Sequence, residues 1–203
     1  MRSFSSYAIV PAAGRSRRMG SDKLMLAVAG RPLIDSTLRA WTNSAADHVV
    51  VVVRGEDQPL RDRCRLAGVE VAAAGADPAE MRDSLEIGLR YVAERFAPEP
   101  NDAWLVAPAD MPGLGPTAID LVLAQYDARC PRVIVPRVAG KRGHPVLLPW
   151  SAAAAFTRSP PHEGLDAFVR RSRALEVPLA GPGAVLDIDT PADYRRLVSG
   201  GGD

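Results

Sequence analysis

The chain has 203 residues, enough for one domain with a sizeable core, and its 47% apolar content excludes a disordered polymer. Twenty-five basic against 24 acidic residues leave a formal net charge of +1, which excludes a general nucleic-acid binder, since that role needs a basic excess against phosphates. Cys64 and Cys130 match no metal-ligand spacing and read as thiols in a reduced compartment. With neither a signal-peptide pattern nor an apolar run of bilayer length, a cytoplasmic protein without a membrane partner is expected.

In chain order, residues 1–6 read as a flexible start, and Tyr7–Val10 as a buried strand ending at Pro11. The spacing of Leu33, Ile34, Thr37, Leu38 and Trp41 predicts a helix from Pro32 to Ser44. His48–Val53 is a β-branched run without alternation, the pattern of a strand covered on both faces in a parallel sheet. A helix over Gln58–Ala67 and a short strand over Val69–Val71 follow. Met81–Phe96 is an amphipathic helix with Leu85, Leu89, Val92 and Phe96 on one face. Ala103–Ala107 is the next buried strand, and Thr117–Tyr126 a helix with Thr117 as its N-cap. Strands at Arg132–Pro136 and Pro145–Pro149 enclose a glycine-bearing loop from Arg137 to His144. Helices at Ser151–Phe156 and Leu165–Arg171, short strands at Leu175–Leu179 and Val185–Ile188, and a closing helix at Pro191–Val198 complete the chain before a mobile glycine-rich tail at 199–203. The alternation predicts a single domain, a three-layer α/β/α sandwich with a mostly parallel sheet. Its ligand is expected beyond the C-terminal strand edge.

The first such edge carries Ala12-Ala13-Gly14-Arg15-Ser16-Arg17-Arg18-Met19-Gly20-Ser21-Asp22-Lys23. Small residues let backbone N–H groups approach a phosphate, while three arginines and Lys23 add positive charge over a few residues, a density of donors suited to a triphosphate. The same composition is also that of a solvated basic loop. Neither a P-loop nor the Gly-x-Gly-x-x-Gly of a dinucleotide fold is present. After the strand ending at Ala107, Asp110 reads either as a hard oxygen ligand for Mg²⁺ or as a cap before Pro112. Asp189, before Thr190-Pro191, reads as the N-cap of the closing helix.

Ala12, Ala13, Gly14, Ser16, Arg18, Met19, Gly20 and Lys23 fall on the fixed positions of A-A-G-x-S-x-R-M-G-x-x-K. That string resembles the signature of the MobA-like nucleotidyltransferases. The resemblance extends from Ile9 to Val198 and is greatest to the molybdenum cofactor cytidylyltransferase branch, through Gly143-His144-Pro145 and Asp187-Ile188-Asp189-Thr190-Pro191. It implies a Rossmann-like nucleotidyltransferase fold and an Mg²⁺-dependent enzyme. The reaction implied moves a nucleoside monophosphate, CMP from CTP, onto a small phosphorylated acceptor such as molybdopterin, with release of pyrophosphate.

By the same resemblance, Ala12, Ala13, Gly14, Arg18, Lys23 and Ser84 bind the nucleotide, and Lys23, Arg18 and Asp110 are catalytic. Asp110 and Asp189 hold the metal, and Arg142 and His144 line the acceptor pocket. Met81, Ser84 and Gly88 resemble a segment near the nucleotide base, with Glu80 in place of its usual glycine. Residues 161–167 depart from the branch's G-D-x-G-A-R pattern, which leaves the acceptor open. Guanylyl transfer, another phosphorylated acceptor and a non-catalytic nucleotide-binding module are the alternatives. Ala12-Ala13 in place of Gly-Gly argues against the first, and retention of Lys23, Asp110 and Asp189 against the last.

Overall fold

The computed structural model describes residues 2–15, 22–179 and 190–199. The strand expected at 185–188 and the site candidates Arg18 and Asp189 lie outside them.

The central sheet contains β1 (Ser6–Pro11), β4 (His48–Arg54), β5 (Glu70–Ala74), β6 (Ala103–Val106), β7 (Ile134–Val138), β9 (Val146–Pro149) and β10 (Leu175–Pro178). Its order is β10-β7-β9-β6-β1-β4-β5. β1 pairs in parallel with both β4 and β6, and β4 with β5. β9 runs antiparallel to β6 and β7 on either side, and β10 is parallel to β7. A short β8 (Lys141–Arg142) folds back on β7. Away from this sheet, β2 (Ala27–Val28) and β3 (Arg31–Pro32) form a two-stranded hairpin. Its turn residues Ala29 and Gly30 both have positive φ, 48° and 76°, the backbone that suits a two-residue hairpin turn.

Strand alternation sorts the core into two layers. Ala8, Val10, Val51, Val53 and Leu105 face one side. They pack under α1 (Ile34–Thr42), α2 (Gln58–Leu66) and α4 (Pro116–Ala124), with α7 (Pro191–Ser199) contributing Tyr194 and Leu197. Tyr7, Ile9, Val50, Val52, Trp104 and Val106 face the other side. They pack under α3 (Met81–Phe96), α5 (Ala153–Thr157) and α6 (Leu165–Arg171). The expected α/β/α sandwich with a mostly parallel sheet is therefore the observed fold.

Several boundaries differ from the sequence expectation for local reasons. Helix α1 begins at Ile34, because Pro32 is held in the β3 hairpin. Helix α4 begins at Pro116, whose fixed φ suits the first helical position, so Gly115 and not Thr117 is the N-cap. α4 ends at Ala124, and the Tyr126 hydroxyl donates to the carbonyls of Asn101 (3.1 Å) and Asp102 (3.2 Å). Burial, with Asp102 adding to it, pushes that phenol up to about 12. The strand β1 takes in Ser6, whose hydroxyl donates to Asp47 at 2.6 Å.

Gly88 has a packing reason. A Cβ there would stand 2.5 Å from Ile9 Cγ2 and 3.1 Å from Val52 Cγ2, so its absence lets α3 lie directly on β1 and β4. Among the described residues, no helix is long and apolar enough to cross a membrane.

Candidate active site at the C-terminal edge of the sheet

Pro11 ends β1 at the ligand edge, and Ala12 N–H continues the line by donating to Val52 O at 2.9 Å. Ala12 and Ala13 are both buried, so the chain leaves the sheet as packed backbone. No described atom outside its chain neighbours lies within 4 Å of where a Cβ would stand on Gly14.

The loop after β6 is fixed beside it. Ala109 N–H donates to Pro11 O at 3.3 Å, and the buried Thr37 hydroxyl on α1 donates to Ala109 O at 2.9 Å. The next residue is Asp110, and its Oδ2 accepts from Lys23 Nζ. The two side chains are 15% exposed each, so this ion pair is largely withdrawn from solvent. Residues 87 positions apart thus meet where the sequence expected phosphate and metal chemistry. Asp110 Oδ1 is buried without a hydrogen-bond partner among the described residues. A buried carboxylate oxygen without a donor is costly unless something else supplies positive charge. Asp110 does not act as a helix cap: α4 starts six residues later, under Gly115.

The donor set fits a hard divalent cation. Asp110 offers one carboxylate oxygen without a hydrogen-bond partner among the described residues, and Mg²⁺ typically takes one or two carboxylates plus phosphate oxygens. Among the described residues there is no cluster of three or more His, Cys, Asp or Glu that would hold an ion by protein ligands alone. Such an ion would take its remaining ligands from outside these residues.

Sequence reasoning missed the anchor of the phosphate loop. Arg54, the last residue of β4, is 13% exposed and paired with Asp57, which is 5% exposed, at 2.7 Å. Its Nη1 donates to Gly14 O at 3.1 Å, and its Nη2 also reaches Asp22 Oδ2 at 3.2 Å. One guanidinium therefore holds both ends of the segment between Gly14 and Asp22. Asp57 is fixed in turn as the N-cap of α2, accepting from Leu60 N–H. Outside this pair, Arg15 is bound to Asp77 and, at 3.2 Å, to Glu56. A partial signal was available: Arg54 ends the valine-run strand, at the edge where ligands of parallel sheets bind, although nothing there marks Gly14 as its partner.

Asp189 itself lies outside the described residues, but the cap expected of it is provided by its neighbour. Thr190 Oγ1 accepts from Asp193 N–H at 3.2 Å, and Asp193 Oδ2 accepts from Thr190 N–H at 2.8 Å, a reciprocal capping box at the start of α7. Tyr194 then donates to Ala27 O at 2.6 Å, docking α7 on the hairpin just past Lys23.

The acceptor candidates sit on the other side of β6. His144, joined to Pro145 by a cis peptide bond, places Nδ1 3.3 Å from Val106 O, four residues before Asp110. Gly143 N–H donates to Pro136 O at 2.8 Å. Arg142 is at 3.4 Å from Glu176, which Arg137 also approaches at 3.5 Å. A cleft of about 390 Å³ opens beside this loop, reaching to the starts of α3 and α6. Ser84 is buried on α3 and does not line it.

The wall at 156–164 is held by a second residue missed from sequence. Arg82 is 5% exposed and donates to the carbonyls of Phe156 (2.8 Å) and Glu163 (2.7 Å) and to Ser159 Oγ (2.9 Å). Because most of its acceptors are carbonyls, this clamp is indifferent to the side chains of the loop. A hydrogen bond from Arg171 holds the Glu163 carboxyl below its ordinary range.

Residues 8–177 match the model of the MobA-like NTP transferase domain. The chain belongs to that family. A 2-C-methyl-D-erythritol 4-phosphate cytidylyltransferase of Dechloromonas aromatica is 36% identical over 124 residues, 59% of this chain and 53% of the relative. A probable molybdenum cofactor guanylyltransferase of Pyrococcus horikoshii is 31% identical over 131 residues, 64% of this chain and 61% of the relative. This chain thus spans only about half to three-fifths of the length of these relatives. Among solved structures, Rv0371c of Mycobacterium tuberculosis superposes with a TM-score of 0.80 at 24% identity, covering 98% of this chain and all of that one. A complex of the same protein with manganese gives 0.75 at 22% identity, over 96% of this chain and 98% of that one. At such identities the structures establish the shared fold.

Proposed function

We propose that the chain transfers CMP from CTP to a small phosphorylated acceptor of the molybdopterin type and releases pyrophosphate. The observation that carries this reading is the meeting of Lys23 and Asp110 at the ligand edge, with Asp110 Oδ1 left without a hydrogen-bond partner among the described residues. In this reading the backbone of Ala12, Ala13 and Gly14 cradles the triphosphate, Arg18 and Lys23 neutralise it, and Ser84 belongs to the nucleotide side. Asp110 and Asp189 hold Mg²⁺. The Thr190–Asp193 capping box supports the role of Asp189, since α7 is capped without it. Arg142 and His144 orient the acceptor.

A bound divalent ion supplies charge neutralisation on the phosphates. The chain's part is positioning and electrostatics, as is usual for phosphoryl transfer. An acceptor phosphate oxygen attacks the α-phosphorus, the bond to the bridging β-phosphate oxygen breaks, and pyrophosphate departs. Lys23 exchanges Asp110 for the phosphates as they arrive. The acceptor phosphate is already ionised near neutral pH, so His144 serves as a positioning group with no proton to remove.

Guanylyl transfer is the second reading, favoured by the likeness to the Pyrococcus horikoshii guanylyltransferase. Pyrophosphate release measured with each NTP against molybdopterin and other phosphate monoesters decides between them. Turnover with CTP is expected, and a clear preference for GTP would overturn the cytidylyl reading. Nucleotide binding with no release under any pairing would leave a binding module.

A further inference from the structure

The lining of the cleft beside the 142–144 loop includes a buried charge, Arg82. Arg82 is the second residue of α3, so its cation stands in the first turn, where the helix dipole disfavours positive charge. It is also withdrawn from water, and its carboxylate partner Glu86, at 2.9 Å, is itself 39% exposed. An apolar side chain of similar length would carry neither cost. A position held against its local electrostatics points to work done elsewhere.

That work is on the 156–163 segment. Nη2 donates to the carbonyls of Phe156 (2.8 Å), Thr157 (3.3 Å) and Ser159 (3.2 Å). Nη1 donates to Ser159 Oγ (2.9 Å) and Glu163 O (2.7 Å). Phe156 and Thr157 are the last residues of α5, where carbonyls run out of helical partners, so Arg82 closes that helix from another element. The guanidinium carbon also lies 4.7 Å from the centre of the Phe156 ring. Residues 158–164 form neither helix nor strand, and Gly164, with Leu165 and Asp166 at the start of α6, lines the cleft. Every nitrogen of the guanidinium is engaged within the chain, so Arg82 shapes this wall and is not offered to a ligand.

We infer that Arg82 is a positioning residue for the acceptor: it holds the 156–164 wall at the distance from α3 at which the cleft fits its ligand. The inference rests on the acceptor reading of Arg142 and His144 and adds a residue that acts through the backbone of the opposite wall. α3 is the fixed partner in this contact, because Gly88 seats it directly on β1 and β4. Loss of the guanidinium therefore releases the wall and leaves α3 on the sheet. The phosphate turn is held independently by Arg54, so the nucleotide side is left as it was.

Phenyl phosphate serves as the acceptor probe, titrated calorimetrically into the full chain with Mg²⁺ and a non-hydrolysable CTP analogue present. Arg82→Met keeps the stem and removes the fork. It is expected to weaken phenyl phosphate by about tenfold or more, the scale on which a small displacement acts, while the affinity for the CTP analogue stays within about twofold. Arg82→Lys is expected to resemble it, because an ammonium lacks the fork that spans Phe156 to Glu163; should Arg82→Met fail to fold, this variant carries the test. Phe168→Leu controls for stability alone, since it loosens α6 against Phe156 in the same core layer and removes none of these hydrogen bonds. It is expected to bind phenyl phosphate as the wild type does. Wild-type affinity in the folded Arg82 variants, an equal loss in Phe168→Leu, or a matching loss of affinity for the CTP analogue would each overturn the inference. Failure of the wild-type chain to bind phenyl phosphate would overturn the acceptor reading and the inference with it, a result distinct from wild-type binding that the Arg82 variants retain.

Discussion

On the β1–β4 side of the ligand edge the functional groups are charged and already paired within the chain: Lys23 with Asp110, and Arg54 with Asp57 and Asp22. On the β6–β9–β7 side the surface is a valine-lined cleft that also carries the buried Arg82, and whose loop arginine, Arg142, approaches the half-exposed Glu176. Under the proposed function the first side receives the polyanion, which displaces carboxylates from cations, and the second side receives the acceptor.

The largest expected break in this contrast is at the Lys23–Asp110 pair. Lys23→Ala is expected to lower kcat/KM by about 30- to 1000-fold, or about 2–4 kcal/mol of transition-state stabilisation. Asp110→Asn should do at least as much, and the double variant should fall far short of the product of the two losses, because either change dismantles the same clamp. Steady-state kinetics of the three variants check this, and independent, multiplicative losses would separate the two residues. Lys23→Ala also strands a largely buried carboxylate, so its thermal midpoint should drop, unlike that of an exposed lysine.

Next in size is Arg54→Met. Breaking a buried ion pair is expected to cost about 3 kcal/mol in urea unfolding. Release of Gly14 and Asp22 should raise the nucleotide Kd about tenfold and leave acceptor binding unchanged. Unaltered nucleotide affinity would reduce Arg54 to a packing role. The smallest effect is expected at Arg142→Ala. Its pair with Glu176 is long and partly exposed, so stability should move by less than about 0.5 kcal/mol. The acceptor KM should rise about tenfold with kcat and the nucleotide Kd unchanged. A change in nucleotide affinity would dissolve the division between the two sides.

The sequence makes the framework legible wherever one physical signal dominates. The valine run of β4 announces a doubly covered strand, and the apolar face of α3 delivers that helix over its full length, Met81 to Phe96. Gly14, Lys23 and Asp110 are legible because small, basic and acidic residues stand just past strand ends. What sequence reasoning loses depends on tertiary partners. Nothing within the sequence around Arg54 shows that its guanidinium would lie on Gly14 O, and nothing near Arg82 points to carbonyls more than 70 residues away. The role of Gly88 is invisible for the same reason, since the clash it avoids is with Ile9 and Val52 on two other elements. Helix starts shift by a residue or two where a proline or a hairpin outcompetes the expected cap, as at Pro116 and Pro32.

The reversed direction of β9 has a consequence for how such proteins diversify. A parallel strand reaches the ligand edge at its end and must then cross over through a helix, so altering that connection disturbs a packed layer. β9 instead begins at the ligand edge, and the 139–145 segment that enters it is a simple return from β7, with Ala139 and Gly140 at positive φ making the turn. Insertions and exchanges in such a return are absorbed at the surface and leave the register of β1, β4 and β6 alone. Under the proposed function, acceptor choice is thereby carried on an exchangeable part, which can be rewritten while the framework of β1, β4 and β6 stays in place.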